Sequence, residues 1–453
     1  MRNPQKDNCV DEVLEQQPGQ CLDWGAVADF SSAQRCISSR KCCRQGLWVR
    51  PFLVLLSVCC FFCVLCAPVV CAPVLAEDPA LEFLDGLRNR GYHDTALDYL
   101  ESLETSRLLP AGMRDILGFE TALTLVIASR SSGELEERYK MLDEAQTLLR
   151  EFITTKSKHP KLYAARSQLG NLIVERARIK VGEAKSGDAL ALKAEARQLY
   201  DQAFKECGVL EAAVSKELDL IPKVLNMRDR EEAKLAERRK QLRADNLQTE
   251  LLAAAIREEA ADTVPAGSKA WTEYLVEAAG LYDAIYKKYR SRLAGLYARM
   301  YQGRCNHRLG RTKDALGHYG ELLDQPSTPE SFWNLKTKTL RLAMDSWLDP
   351  QQRKYVEAIK QASGWVEAAP RSTQRSPDML AIRLSLAVAL QMQAEEYEKR
   401  ESRDVATIRN SYEDALKNAR FVAAEEGDLQ EEAAELVLAL GGKTKDLLVF
   451  LSL

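Results

Sequence analysis

The sequence predicts an all-α chain, and three observations carry that expectation. Glycine (23) and proline (15) together make up under a tenth of the 453 residues, too few for a turn-rich β architecture. From residue 80 onward Ala, Leu, Glu, Lys, Arg and Gln dominate, and apolar residues recur at intervals of three and four. Leu142, Ala145, Leu148, Leu149 and Phe152 are one such stripe. No run of alternating β-branched residues bounded by turns occurs beyond residue 77.

Charge excludes two classes. Lys and Arg number 63 against 66 Asp and Glu, with 46% hydrophobic residues, so the chain is neither a disordered tail nor a basic nucleic-acid binder. Beyond residue 76 the balance is 56 to 60 with both signs interspersed. That pattern belongs to solvated helix faces, and the expectation is no attraction to phosphate backbones or anionic lipid.

The N-terminal part has its own character. Ten of the 12 cysteines lie at or before Cys71. Residues 1–46 show no hydrophobic period and read as an unstructured leader, or as an over-extended start with the working initiator near Leu47 or Val49. Residues 47–76 contain an uncharged stretch from Phe52 to Ala76, preceded by Arg40, Lys41, Arg44 and Arg50 and closed by Val74-Leu75-Ala76. A basic flank, an apolar run and small residues at the end make a signal peptide cut after Ala76; the same stretch retained would be a transmembrane anchor. A lipid anchor on Cys66 or Cys71 is disfavoured by Leu65 and Val70, which stand where a small residue belongs. Either main reading exports the chain beyond residue 76 to the periplasm or cell envelope, with the membrane touched only through this segment.

From residue 80 onward proline acts as punctuation, at 110, 160, 222, 265, 326, 329, 350, 370 and 377. Ser327-Thr328-Pro329-Glu330 reads as a capping box, and Asp349-Pro350 as an N-cap with proline at the first helical position. Residues 77–212 and 266–440 are expected as helical repeats. Between them, residues 213–265 are expected as a long charged, solvated connector. Gly441-Gly442 is read as the stop of a helix from Leu429 to Leu440, and 441–453 as an apolar tail, docking back on the last hairpin or marking a truncated longer chain.

In a helical hairpin whose second helix packs between its own first helix and the next hairpin, one position must be small and the contacts at +4 and +7 apolar. Gly310 to Tyr319 has that form around Ala315, with Leu322 at +7 and Pro326 ending the helix. Ala96 repeats it with Leu100 and Leu103; Ala358 with Ala362 and Trp365; Ala415 with Ala419 and Val422. Further copies start at Ala145, Ala196 and Ala278. These segments resemble the second helix of a tetratricopeptide repeat, as in exported bacterial proteins of that type, including a Tyr-x-x-Ala opening at Tyr355 and Tyr412. Leu169-Gly170 and Gly303 match small positions of the first helix. The departures are spacings of 49, 51, 82, 37, 43 and 57 residues between the alanines, and no first-helix Trp. The resemblance implies an irregular tetratricopeptide-like α-solenoid whose first helices line a concave groove. On that reading Tyr297, Met300, Arg304 and His307, with Asn171 in the unit of Gly170, face a protein partner.

No catalytic constellation emerges. There is no Gly-x-Ser-x-Gly and no His-Glu-x-x-His. Gly441-Gly442-Lys443-Thr444 has Val437 where a phosphate-binding loop needs its first glycine. Cys305 and His307, with His318, lack further ligands at zinc spacing. Cys207 and Cys305 fit as small buried residues. Carboxylate pairs such as Glu258-Glu259 read as ordinary exposed helix. The expectation is a non-catalytic binding scaffold without cofactor, metal or nucleic acid. The alternatives are the docking region of a longer envelope enzyme and a self-associating spacer.

Overall fold

The computed structural model of the chain describes residues 79–106, 109, 111–184, 189–326, 330–400 and 404–451. The leader, the apolar segment with Ala76, and Ser327-Thr328-Pro329 of the capping box lie outside the described residues. Among those described, the regular elements are all helical. None of these helices is long and apolar enough to cross a membrane. The chain divides into two compact units at Arg114/Asp115.

The first unit holds α1 (Pro79–Asn89) and α2 (His93–Thr105). Leu84, Ala96 and Leu100 are buried, and Phe83 meets Tyr99 edge to face at 5.0 Å. Gly91 turns the chain between the two helices at φ +75°, which a side chain would disfavour.

α3 (Ala111–Ser131) crosses the division. The second unit continues with α4 (Leu135–Thr155), α5 (Leu162–Glu183), α6 (Ala189–Leu220), α7 (Arg230–Ala260), α8 (Lys269–Lys288), α9 (Leu293–Arg308) and α10 (Thr312–Leu323). It ends with α11 (Glu330–Leu348), α12 (Tyr355–Ala368), α13 (Pro377–Glu398), α14 (Val405–Ala423) and α15 (Gln430–Leu451). From α4 onward consecutive helices pack together, and α6, α8, α10, α12 and α14 each contact the odd-numbered helix before and the one after. Odd-numbered helices also touch one another, α5 on α7, α9 on α11 and α11 on α13.

The seven alanines Ala96, Ala145, Ala196, Ala278, Ala315, Ala358 and Ala415 all fall in even-numbered helices, and all are 0% exposed. Their +4 neighbours are buried too: Leu100, Leu149, Tyr200, Tyr282, Tyr319, Ala362 and Ala419. A methyl group at the crossing lets two backbones approach, and in five of the seven a leucine or tyrosine one turn on fills the space beside it. Gly303 marks a close approach of α9 and α10. A Cβ there would sit 2.5 Å from Cε1 of Tyr319, so α9 and α10 meet at this spacing only with glycine.

Three turns share one geometry. Gly91, Gly310 and Arg353 lie five residues before Ala96, Ala315 and Ala358, with φ +75°, +74° and +47°. Each is followed by a cap residue of near-identical backbone: Tyr92 (−85°, 59°), Arg311 (−85°, 55°) and Lys354 (−84°, 50°). At Gly91 and Gly310 the left-handed residue closes the preceding helix, whereas Arg353 follows α11 by a turn over 349–352; in all three it leads into the cap of the next helix.

Three expectations need correction. Asp349-Pro350 does not open a helix; it forms a turn in which Asp349 Oδ1 accepts from the Gln351 amide at 2.8 Å, and α12 starts at Tyr355. Proline at the first helical position occurs instead at Pro377, with the Ser376 hydroxyl accepting from the Met379 amide. Gly441 does not stop a helix, because α15 runs on to Leu451. Residues 213–265 are not a solvated connector: they begin inside α6, and the C-terminal half of α7, from Leu251 to Ile256 and on to Ala261, is core. The 82-residue interval between Ala196 and Ala278 comes from two elongated helices, α6 with 32 residues and α7 with 31, in the same alternating order.

Candidate protein-binding face of the odd-numbered helices

α9 is sandwiched between α8, α10 and α11, and its apolar positions decide what remains outside. Leu296, Ala298, Met300, Tyr301 and Cys305 are buried. Met300, at 2% exposure, is therefore core and does not reach a groove; the thioether fills the layer between α9 and its neighbours. Tyr297 is half-buried, stacked on Tyr301 with ring centroids 6.4 Å apart. His307 is half-buried, with Nε2 3.8 Å from Oδ2 of Asp349. Asn171 of α5 is half-buried and donates from Nδ2 to Oε1 of Gln168 at 3.2 Å.

Arg304 is committed internally. Its Nε donates to Oε1 of Glu258 at 2.6 Å and its Nη2 to Oε2 at 2.9 Å, while the guanidinium lies 4.6 Å from the Tyr301 ring centroid. Burial works against its charge, but the Glu258 carboxylate outweighs that and holds the pKa well above the ordinary arginine value. A fork engaged at both nitrogens has little left for a partner.

Glu258 collects further donors. Tyr282 Oη, one turn beyond Ala278, donates to it at 3.2 Å, and burial followed by this carboxylate pushes the phenol well up. Arg308 Nη1 lies 4.0 Å away and its Nη2 pairs with Asp262. The adjacent Glu259 points to the other neighbour: Arg178 of α5 donates from Nε and Nη2 at 2.8 and 2.6 Å, and Tyr200 Oη, one turn beyond Ala196, at 3.1 Å. Arg178 Nη1 in turn reaches Glu175 at 2.6 Å, which also takes Arg130 of α3 at 2.6 Å. Arg341 of α11 faces Asp378 of α13 at 3.4 Å. Successive odd-numbered helices are thus bridged by charge from α3 to α9 and again from α11 to α13.

The reading of Glu258-Glu259 as exposed surface is corrected here: Glu258 is 2% exposed and both carboxylates are paired. The signal was the run Leu251-Leu252-Ala253-Ala254-Ala255-Ile256 just before them, apolar all round a helix and so buried all round. Arginine partners 46 and 81 residues away have no local signature.

Cys305 is fully buried, and its thiol is pushed up by burial and then by Glu258; Cys207 is buried and pushed up to about 12 by burial. Both thiols are free. Asn306 Nδ2 and His318 Nε2 are 3.2 Å apart, and burial lowers the His318 pKa. Among the described residues no three His, Cys, Asp or Glu side chains are grouped to hold a metal ion. The face is charge-balanced and polar, with Tyr297, His307 and Asn171 at its half-exposed positions.

No protein-family model matches this sequence, and no curated protein sequence matches it.

Proposed function

We propose that the chain is a non-catalytic, tetratricopeptide-like solenoid scaffold of the cell envelope, exported through residues 47–76 and engaging another protein along its odd-numbered helices. The observation that carries this reading is the recurring hairpin. An unexposed alanine anchors each even-numbered helix from α2 to α14, and the same left-handed turn precedes three of them. A chain of such hairpins leaves its first helices side by side, forming an extended binding surface. Tyr297, His307 and Asn171 are the contact residues on this reading. Arg304 and Met300 hold the surface from beneath.

The test is affinity capture with the chain as bait from solubilised envelopes. Reproducible retention of one or two proteins, competed by free chain and lost on Asn171→Arg with His307→Glu at unchanged melting temperature, is expected. A well-folded bait that retains nothing above background overturns the proposal.

A further inference from the structure

The connection between α6 and α7, residues 221–229, is an ordered loop with an apolar exterior. Ile221 and Leu225 turn inward and pack with Leu210, Val214, Leu242 and Tyr163. Leu220, Val224 and Met227 turn outward, at 76, 88 and 65% exposure. The backbone is pinned in this arrangement. Arg239 Nη1 donates to the carbonyls of Pro222 and Lys223 at 3.1 and 2.9 Å, and Asp229 N donates to Asn226 O at 3.0 Å. The three outward side chains therefore cannot fold under by local rearrangement, and water faces more apolar surface here than an isolated exposed leucine would present.

A second loop is tied to the same turn of α7. Arg238, next to Arg239, donates from Nη1 to the carbonyl of Pro160 at 2.8 Å, holding the α4–α5 connection beside the α6–α7 loop. Residues 156–161 read Lys-Ser-Lys-His-Pro-Lys with no acidic residue, and 220–228 read Leu-Ile-Pro-Lys-Val-Leu-Asn-Met-Arg between two exposed carboxylates, Asp219 and Asp229, the latter turned to the amides of Glu231 and Glu232 as the cap of α7. Lys156 and Lys161 are paired with Asp115 and Glu120. Lys158, Lys223 and Arg228 are exposed. In a chain of net charge −3 with both signs interspersed, this end combines protruding apolar side chains with flanking cations.

We infer that this end docks on an anionic lipid surface, with Leu220, Val224 and Met227 entering the headgroup–acyl boundary and Lys158, Lys223 and Arg228 facing lipid phosphates. A bilayer supplies both complements at once, an apolar layer directly beneath a sheet of negative charge, and a convex tip can enter it without a matching groove. Nucleic acid offers the charge without the apolar layer.

Hydrogen–deuterium exchange on the full chain reads the loop itself, so binding through residues 47–76 does not enter the result. Phosphatidylcholine vesicles with and without phosphatidylglycerol are the probe. Exchange over 219–229 is expected to slow several-fold on the anionic vesicles and to stay near its free rate on the neutral ones. Val224→Asp with Met227→Asp, and separately Lys158→Glu with Lys223→Glu, should each remove the protection without changing exchange in α9 or α13. Unprotected loops on both vesicle types, or equal protection on both, would overturn the inference. Protection that appears without vesicles as protein concentration rises would also overturn it, assigning the tip to a second copy of the chain.

Discussion

Glu258 and Arg304 form a two-pronged ion pair between α7 and α9, at 2.6 and 2.9 Å, with the carboxylate almost entirely out of solvent. This contact makes part of the scaffold out of an arginine that the tetratricopeptide resemblance assigns to a groove. Removing one partner leaves the other charge buried and alone, which costs about 3–5 kcal/mol where a pair is well shielded. Arg304 is 22% exposed, so solvent screening brings the expected value toward the lower end. Glu258→Ala and Arg304→Ala should each lower unfolding free energy in urea, and the double variant should lose less than their sum. Additive losses would mean the pair is not coupled.

Gly303 and Tyr319 give a packing test. Gly303→Ala forces a methyl into the tyrosine ring, and overpacking of this kind costs about 1–3 kcal/mol. Gly170→Ala, whose new Cβ would meet Leu252 Cδ2 at an ordinary 3.6 Å, should be neutral or slightly stabilising through helix propensity. In a Tyr319→Leu background the Gly303→Ala penalty should shrink. Equal melting temperatures for Gly303→Ala and wild type would contradict the close crossing.

Arg353 occupies the left-handed turn position that glycine holds at 91 and 310. A side chain at positive φ is strained by roughly 1–2 kcal/mol, partly offset by glycine's larger unfolded-state entropy. Arg353→Gly should therefore raise thermal stability slightly, while Gly310→Ala should lower it by about 1 kcal/mol. Calorimetry on the two variants reads opposite signs if the turns are equivalent.

Asp245 supplies a pH dependence. It is buried in α7, with Oδ1 accepting from Gln241 at 2.9 Å and Oδ2 without a partner. Burial raises its pKa, against the Gln241 hydrogen bond and nearby Arg238, while Glu217 adds to the rise. A folded pKa above the unfolded one means its contribution is full below the unfolded value and is lost as pH rises through the folded value. Ionised Asp245 therefore weighs on the fold near neutrality. Asp245→Asn should be more stable than wild type at pH 7, on the order of 1 kcal/mol, with the gap closing as pH falls through the acidic range. A pH-independent difference would remove the titration from the explanation.

The helical class was legible because apolar residues at three and four and prolines between segments are local signals, and described Pro160, Pro222, Pro265, Pro326 and Pro370 all lie between helices. The positions of Ala196 and Ala278 in successive even-numbered helices were legible in the same way. What lies between them was not, because a run such as Arg228 to Arg243 looks solvated until the tertiary fold supplies Glu217 for Arg238 and two carbonyls for Arg239. Of the groove residues, Met300 and Arg304 were misplaced, because periodicity cannot tell two sides of a helix enclosed by three others. Met300 and Tyr297 are three residues apart, yet one is core and the other half-exposed.

A protein partner lying along the odd-numbered helices should be within reach of Asn171 and His307. Site-specific photo-crosslinking from those two positions reads this without intermediate steps, with Val209 of α6 and Val356 of α12, 60 and 61% exposed on even-numbered helices, as controls. The expected result is the same partner cross-linked from both odd-helix positions and from neither control. Cross-links from Val209 or Val356 alone, or none from any of the four in a folded chain, would contradict it.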